Sequence, residues 1–335
     1  MSERISLAHG NGGPRMRRLI EEVFAHHLGD RLLACRDDAV VLPIARGAGE
    51  LVFTTDGYTV QPLEFPGGNI GSLAVHGTVN DLAVCGATPL YLSLNVFLEE
   101  GLELAQLERI VQGIHRAALA CEVRIAAGDT KVVRRGEASG LYLATSGIGL
   151  RDSATRLGLE EIRVGDHILV SGPVGDHGAA VMLAREEFGL RGDLLSDAAS
   201  ILPLTRALLP LPGLRFMRDP TRGGLAAVLH EIHLATGLTP RVREADIPVR
   251  AAVRTVCDIL GFDPYTLACE GRLVAVVEAA AAEQALRALR ATPGGEQAAL
   301  IGRLTEETSA VVLETRIGGE RLIEPLDDEA LPRIC

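Results

Sequence analysis

The sequence predicts a two-domain protein of mixed α/β and α+β character with a short extended tail, and three observations carry that reading. The chain has 335 residues, a length that accommodates about two domains. Apolar residues make up 47% and charged residues 23%, the composition of a folded protein rather than a disordered one. Strand and helix patterns alternate up to residue 150, and a charged, glycine-containing stretch, RDSATRLGLEEIRVGD, then interrupts them. The expected units are 1–150, 151–318 and a tail at 319–335.

Taken in order, the opening HGNGGPRMRRLIEEVFAHHLGD reads as a glycine-rich loop turning into a helix. Pro14 suits a first helical turn, Met16, Leu19, Ile20, Val23 and Phe24 share one face, and Gly29 suits the C-terminal end. LVFTTD (51–56) is an apolar strand. Asn69 can cap a helix running through LAVHGTVNDLAVCGA. YLSLNVFL (91–98) is a strand, 103–121 an amphipathic helix, and VRIAAGD and LYLATSGIGL are further strands. The second half opens with the strand HILVSG (167–172). Helices are expected near 177–188, 197–209, 223–236 and 249–260, with strands at 273–278, 298–304 and 309–315. The last stretch, with Pro325, three consecutive acids and Pro332, reads as extended and mobile.

Composition excludes several functions. Net charge is −11, so a nucleic acid is a poor partner. Aromatics are 3% with no Trp, which removes the stacking platforms of single-strand binders. The longest apolar run, Leu82 to Leu98, is broken by Gly86, Pro89 and Asn95 and is too short for a bilayer. The start of the chain has no secretory h-region and the six cysteines show no C-x-x-C pair, which points to a reducing cytoplasm.

The common nucleotide signatures, G-x-x-x-x-G-K-[ST] and G-x-G-x-x-G, are absent. HEIH (230–233) fails as a zinc motif because position 234 is Leu rather than His. Aspartates instead recur at strand ends and turns: Asp37 and Asp38, Asp56, Asp81 and Asp129. Each alone is a turn or cap residue; together they form the hard oxygen set that suits Mg²⁺ with substrate phosphates. Glycines in HGNGG, PGGNIG and AAGD would let backbone N–H groups approach phosphate. In the second half SGPVGDHG and RDPTRGGL are glycine-rich turns into helices, which either bind anions or merely cap. Glu270 precedes a strand, as a base or a surface charge.

Two single residues stand out. Lys131 is the one lysine among 33 basic residues; retention against so strong an arginine bias suggests a need for a compact ammonium. Cys335 ends the chain. It is not a prenylation box, which needs Cys fourth from the end. From Gly319 the thiol could reach roughly 50 Å on an extended chain, as a swinging carrier would.

The segments HGNGG, DDAVV, TTDGYTV, GGNIGSLAVHGTVNDLAVCGATPLYLS, GDTKVV, SGPVGDHG, RDPTRGGLA, IPV and the terminal PRIC together resemble the HypE family of hydrogenase maturation factors. That family shares a superfamily with aminoimidazole ribonucleotide synthetase, selenophosphate synthetase and thiamine-monophosphate kinase. The resemblance covers the whole chain. It implies a two-domain aminoimidazole ribonucleotide synthetase-like fold, with N-terminal strands forming a barrel across a homodimer. It implies that a HypF carbamoyltransferase loads the terminal cysteine and that ATP drives dehydration of the thiocarbamate to a thiocyanate. The cyanide would pass to a HypC–HypD complex for the iron of a [NiFe]-hydrogenase.

On this resemblance the catalytic residues would be Cys335, Lys131 and Glu270, and the Mg²⁺ ligands Asp37, Asp56, Asp81 and Asp129. The nucleotide would touch Gly10, Gly12, Gly13, Asp38, Thr55 and Asn80 in the first half, and Asp176 and Asp219 in the second. One departure stands out: Cys269 precedes Glu-Gly where the family pattern has Asn. Two other readings remain open, a superfamily kinase or synthetase acting on a diffusible small molecule, and a non-catalytic carrier of a group on Cys335.

Overall fold

The computed structural model describes residues 13–14, 17, 40–42, 49–185, 189–190, 192–306 and 310–325. The expectations for Gly10, Gly12, Asp37, Asp38, Cys335, most of the first helix and the last ten residues lie outside these.

In the first half, β1 (Val40–Leu42), β2 (Glu50–Tyr58), β5 (Ala87–Glu99), β6 (Arg124–Val133) and β7 (Leu141–Arg151) form one sheet in the order β1-β2-β7-β5-β6. A short hairpin of β3 (Glu64–Phe65) and β4 (Gly68–Asn69) leads into α1 (Ile70–Val84). Among the described strands of this sheet only β5 and β6 run parallel, joined by α2 (Leu104–Ala120) as a parallel crossover requires. Even-numbered β2 residues Val52, Thr54 and Tyr58 are buried and face α1, as the two-residue period of a strand dictates.

The second half is a seven-stranded sheet in the order β14-β13-β10-β12-β8-β11-β9. Its strands are β8 (His167–Val170), β9 (Leu214–Arg218), β10 (Thr239–Arg243), β11 (Val274–Val277), β12 (Ala299–Thr305), β13 (Val311–Glu314) and β14 (Glu320–Ile323). Its helices are α3 (Asp176–Arg185), α4 (Leu202–Leu208), α5 (Gly224–Thr236), α6 (Ala251–Leu260) and α7 (Ala282–Arg290).

The two halves share a core. One apolar cluster runs from Ile70, Leu73 and Val79 of α1 to Leu169, Ile201, Met217 and Leu289 of the second half. Helix α1 is the wedge between them, with Leu73, Ala74, Val75, Val79, Leu82 and Ala83 all fully buried. Its start is fixed by a reciprocal cap: Ser72 N–H donates to Asn69 Oδ1 at 2.9 Å, and Asn69 N–H to Ser72 Oγ at 3.1 Å.

The expected elements are largely present, with two corrections. Residues 197–201 are not helical and α4 begins at Leu202, because the stretch before it makes cross-molecule bonds that a helix would forbid. Ser196 N–H donates to Pro66 O at 2.8 Å, Ala199 N–H to Glu270 O at 3.3 Å and Ile201 N–H to Asn80 Oδ1 at 2.9 Å. The segment expected as tail from 319 is in part a strand, since Glu320–Ile323 is β14, paired antiparallel with β13. Arg321 Nη2 donates to Asp263 Oδ2 at 2.6 Å and His230 Nε2 to the Ile323 carbonyl at 2.8 Å. His233 Nδ1 donates to Leu238 O at 2.8 Å, so both histidines of HEIH serve backbone carbonyls.

Gly71 lets α1 and α2 touch: a Cβ there would lie 2.5 Å from the Ile110 carbonyl oxygen. Alanine ordinarily gains up to about 1 kcal/mol over glycine in a helix. Gly71→Ala should do the reverse and lose about 1–3 kcal/mol from overpacking, read from the urea midpoint; a gain in stability would contradict the close approach.

Candidate functional site

The site lies where β2 and α1 of the first half meet two loops of the second. Asp56 sits near the end of β2, and its Oδ1 accepts from Gly57 N–H at 2.7 Å. Asp81, on α1, faces the same strand: Thr54 Oγ1 donates to Asp81 Oδ2 at 2.9 Å. The loop after β9 brings Arg222, whose Nη2 stands 3.4 Å from Asp56 Oδ1. Gly223 and Gly224 in that loop take left-handed backbone (φ 76° and 59°), and a Cβ on Gly224 would meet the Leu267 carbonyl at 2.4 Å. The loop can therefore lie against the segment that carries Glu270, to which Cys269 N–H ties it by a 3.0 Å bond to Pro220 O.

Tyr58 reports the convergence of these groups. Its buried hydroxyl has a pKa pushed well above the ordinary value, first by burial, then by the carboxylates of Asp56 and Asp81, and further by Glu270. Three acids from β2, α1 and the second half thus act on one buried phenol. Glu270 is itself buried.

The structure brings Asp56, Asp81 and Glu270 together and leaves Asp129 and Lys131 apart. Both lie on β6, three strands from β2, a separation of roughly 14 Å at normal strand spacing. Asp129 and Lys131 pair in register with Asn95 and Phe97, whereas the alternate residues Leu94 and Val96 pack on the core under α1. The two are exposed, with Lys131 Nζ 3.5 Å from Asp129 Oδ2. Thr55 also points away from α1: its Oγ1 donates to Thr145 O at 2.9 Å and accepts from Ser146 Oγ at 3.1 Å.

The remaining expected residues have structural partners. Asn80 is buried and spends its amide on the second half (below). Asp176 opens α3, where Arg250 Nε donates to its Oδ2 at 2.8 Å and Arg272 Nη2 lies 3.5 Å away. Asp219 is buried directly after β9, and its carbonyl accepts from Thr221 N–H at 3.0 Å. Gly13 is buried, and its carbonyl accepts from Arg17 N–H at 3.1 Å. Cys269 is buried; its Sγ accepts from Gly175 N–H at 3.2 Å. Burial pushes this thiol well above its usual range, which keeps it protonated and makes it a packing group.

Sequence reasoning missed Asp197. Its Oδ1 accepts from Glu270 N–H at 3.1 Å and its Oδ2 lies 3.2 Å from Arg272 Nε. Burial raises its pKa to about 6, against the lowering effect of Arg272. Nothing in its neighbourhood, LLSDAAS, distinguishes it from a cap residue.

Asp56 and Asp81 offer the hard oxygen donors that suit Mg²⁺, which binds through one or two carboxylates plus phosphate oxygens. The guanidinium already resting on Asp56 marks the position as one that accepts positive charge. Among the described residues no group of three or more His, Cys, Asp or Glu is arranged to hold a metal unaided.

Comparison with known proteins fits this geometry. The AIR synthase related protein N-terminal domain matches residues 36–151, and the corresponding C-terminal domain matches 163–314. The carbamoyl dehydratase HypE of Bradyrhizobium diazoefficiens is 46% identical over 334 residues, covering 99% of this chain and 96% of that protein. The chain belongs to the HypE carbamoyl dehydratase family. The HypE crystallised in complex with ATP is 42% identical, with a TM-score of 0.81 over 99% of this chain and all of that one. A HypE–HypF complex contains a chain 39% identical, with a TM-score of 0.86 over 92% of this chain and 99% of that one. The two-domain fold of the HypE family is therefore the fold described above. Among the described residues no helix is long and apolar enough to cross a membrane.

His177 supplies a pH test of the packing behind this site. It is fully buried, its Nδ1 is 2.8 Å from Ser196 Oγ, and burial lowers its pKa to about 3. The folded state keeps it neutral while the unfolded chain takes a proton below about 6.5. Its stabilising contribution is thus complete above that pH and is lost as pH falls toward 3. Between pH 6 and 4, His177→Gln should flatten the fall in urea-unfolding stability by about 1.4 kcal/mol per pH unit. An unchanged slope would contradict a neutral buried imidazole.

Proposed function

We propose that the protein is an ATP-dependent carbamoyl dehydratase acting on its own C-terminal cysteine, converting S-carbamoyl-Cys335 to S-cyano-Cys335. The observation that carries this reading is that β2 and α1 present Asp56 and Asp81 at the boundary where Asn80, next to Asp81, bonds the Glu270 carbonyl of the second half, in a chain of the HypE family. The product would supply the cyanide ligand of a [NiFe]-hydrogenase iron, through a HypC–HypD acceptor, after loading by a HypF carbamoyltransferase. A relative crystallised with HypF, and another with ATP, support this choice of partner and nucleotide.

The chemistry sets what the side chains must do. A carbamoyl oxygen is a poor leaving group. Transfer of the γ-phosphoryl group of ATP to that oxygen gives an imidate phosphate and ADP. Breaking the C–O bond then releases phosphate as the nitrogen gives up its N–H protons and the C≡N bond forms. The thiocarbamate loses the elements of one water, and its oxygen leaves in phosphate. Catalysis of this kind is mainly positioning and charge stabilisation. Asp56 and Asp81, with Asp37 and, from a second copy of the chain, Asp129 as further candidates, would hold Mg²⁺, which neutralises phosphate charge when bound. Glu270, buried beside them, is the base that accepts an N–H proton.

Lys131 would stabilise the transferring phosphoryl group or the carbamoyl oxygen, and it does so from a second copy of the chain. Strand β6 is exposed along almost its whole length, with Val132 71% exposed and Ile125 open, and Tyr91 and Phe97 of the adjacent β5 are open as well. A long apolar edge of this kind calls for cover, which the homodimeric barrel provides. Cys335 lies 12 residues beyond Ile323, the end of β14, a tether of at most about 40 Å. That length serves both loading by a partner and delivery to the site.

Loading the protein with carbamoyl phosphate, ATP and the partner transferase should give a carbamoyl adduct on the C-terminal peptide that loses one water when further ATP is present. An adduct that never loses water would overturn the dehydratase reading, and turnover that survives removal of Cys335 would favour a diffusible substrate. Mixing two inactive variants, Lys131→Ala and Glu270→Gln, tests the shared site. Heterodimers should recover about a quarter to a half of wild-type activity, as expected when one of two sites is intact; no recovery would place Lys131 and Glu270 in one chain's site.

A further inference from the structure

Asn80 precedes the metal-binding candidate Asp81 on α1, yet its side chain is turned wholly toward the second half. Its Nδ2 donates to Ala199 O at 3.0 Å and to Glu270 O at 3.3 Å, and its Oδ1 accepts from Ile201 N–H at 2.9 Å. Asn80 is 1% exposed, so each of these bonds replaces water that cannot enter. The Glu270 backbone is held from the other side as well, its N–H donating to Asp197 Oδ1 at 3.1 Å. Next along the chain, Gly271 leaves no space for adjustment: a Cβ there would fall 1.9 Å from the Asp197 carbonyl oxygen.

Both peptide groups flanking the Glu270 Cα are therefore clamped. One clamp comes from a helix of the first half, one residue from Asp81. The other comes from the crossing segment 192–201. We propose that Asn80, assisted by Asp197, is a positioning residue for dehydration: it fixes the Glu270 carboxylate at a set offset from Asp81, so that the base meets the nitrogen of a carbamoyl group whose oxygen is being phosphorylated. This rests on Glu270 being the base. It gives Asn80 a task different from touching nucleotide, because its amide is already satisfied.

The test uses the full-length dimer carrying S-carbamoyl-Cys335 and measures single-turnover loss of water together with ATP affinity. Asn80→Asp keeps the volume and the oxygen that Ile201 needs but removes both donors. It should slow dehydration about 100-fold, the scale of a small misplacement of a reacting group, with ATP affinity unchanged within two-fold. Glu270→Gln should slow it at least as much, and the double variant should be no slower than Glu270→Gln alone, because both act through one group. If Asn80→Asp does not fold, Asp197→Ala and Asp197→Asn ask the same question. The alanine should slow dehydration, and the asparagine, which keeps an oxygen acceptor for Glu270 N–H, should restore most of the rate. A near-normal rate in Glu270→Gln would overturn the reading of the base. A slow Glu270→Gln alongside an Asn80→Asp that weakens ATP, or that multiplies the defect in the double variant, would overturn the positioning role alone.

Discussion

Helix α1 is the constraint on which the site depends. It is buried against the first sheet on one side and the second half on the other, so its polar residues survive only with specific partners. Thr78 donates to Ala74 O and contacts Tyr58 and Thr145. Asn80 reaches the second half, and Asp81 meets Thr54. A polar side chain stranded in such a wedge costs about 1–3 kcal/mol. Each partner therefore fixes the rotation of α1, and with it the direction in which Asp81 faces.

The second half answers with a segment that sacrifices helix for contact. Residues 192–201 lie between Pro66, Asn80 and Glu270, and their backbone groups are spent on those neighbours. Behind them Arg272 joins Asp176 and Asp197, so the carboxylate holding Glu270 N–H is itself held. Burial of that carboxylate is unfavourable by itself, and the arginine offsets it. Glu270 thereby comes to lie near Asp56 and Asp81 although 190 residues separate it from Asn80.

Much of this was legible in the sequence, for identifiable reasons. Strand and helix periods revealed β2, β5, β7, α1, α2 and α5, and Asn69 announced its cap. Asp56 and Glu270 were legible as acids near the end of a strand and ahead of one, Asp81 lies within α1 rather than at the strand end or turn expected of it, and the family resemblance gave all three roles. Asn80 and Asp197 were not legible in their positioning role, since each looks locally like an ordinary polar residue and acquires its partner only in the folded molecule. Residues 197–201 of the crossing segment read as helix because local propensity carries no record of tertiary hydrogen bonds. Strand β14 escaped notice because its anchors, His230 and Asp263, lie far away in the chain. Lys131 was legible as an oddity, but its place on an exposed edge, three strands from Asp56, could come only from the topology.

The two halves form one mechanical unit through Asn80, which ties α1 to Ala199, Ile201 and Glu270, while Asp197 holds the Glu270 backbone from within the second half. Native-state hydrogen exchange at the Ile201 and Glu270 amides tests it most directly, because these N–H groups donate to the two clamps. They should exchange only with the core amides of α1, through global unfolding and with the same denaturant dependence. Exchange of the Ile201 amide through a smaller opening, while α1 stays protected, would mean that the halves move independently and that α1 does not set the position of Glu270; such exchange of the Glu270 amide alone would mean that Asp197 does not hold it.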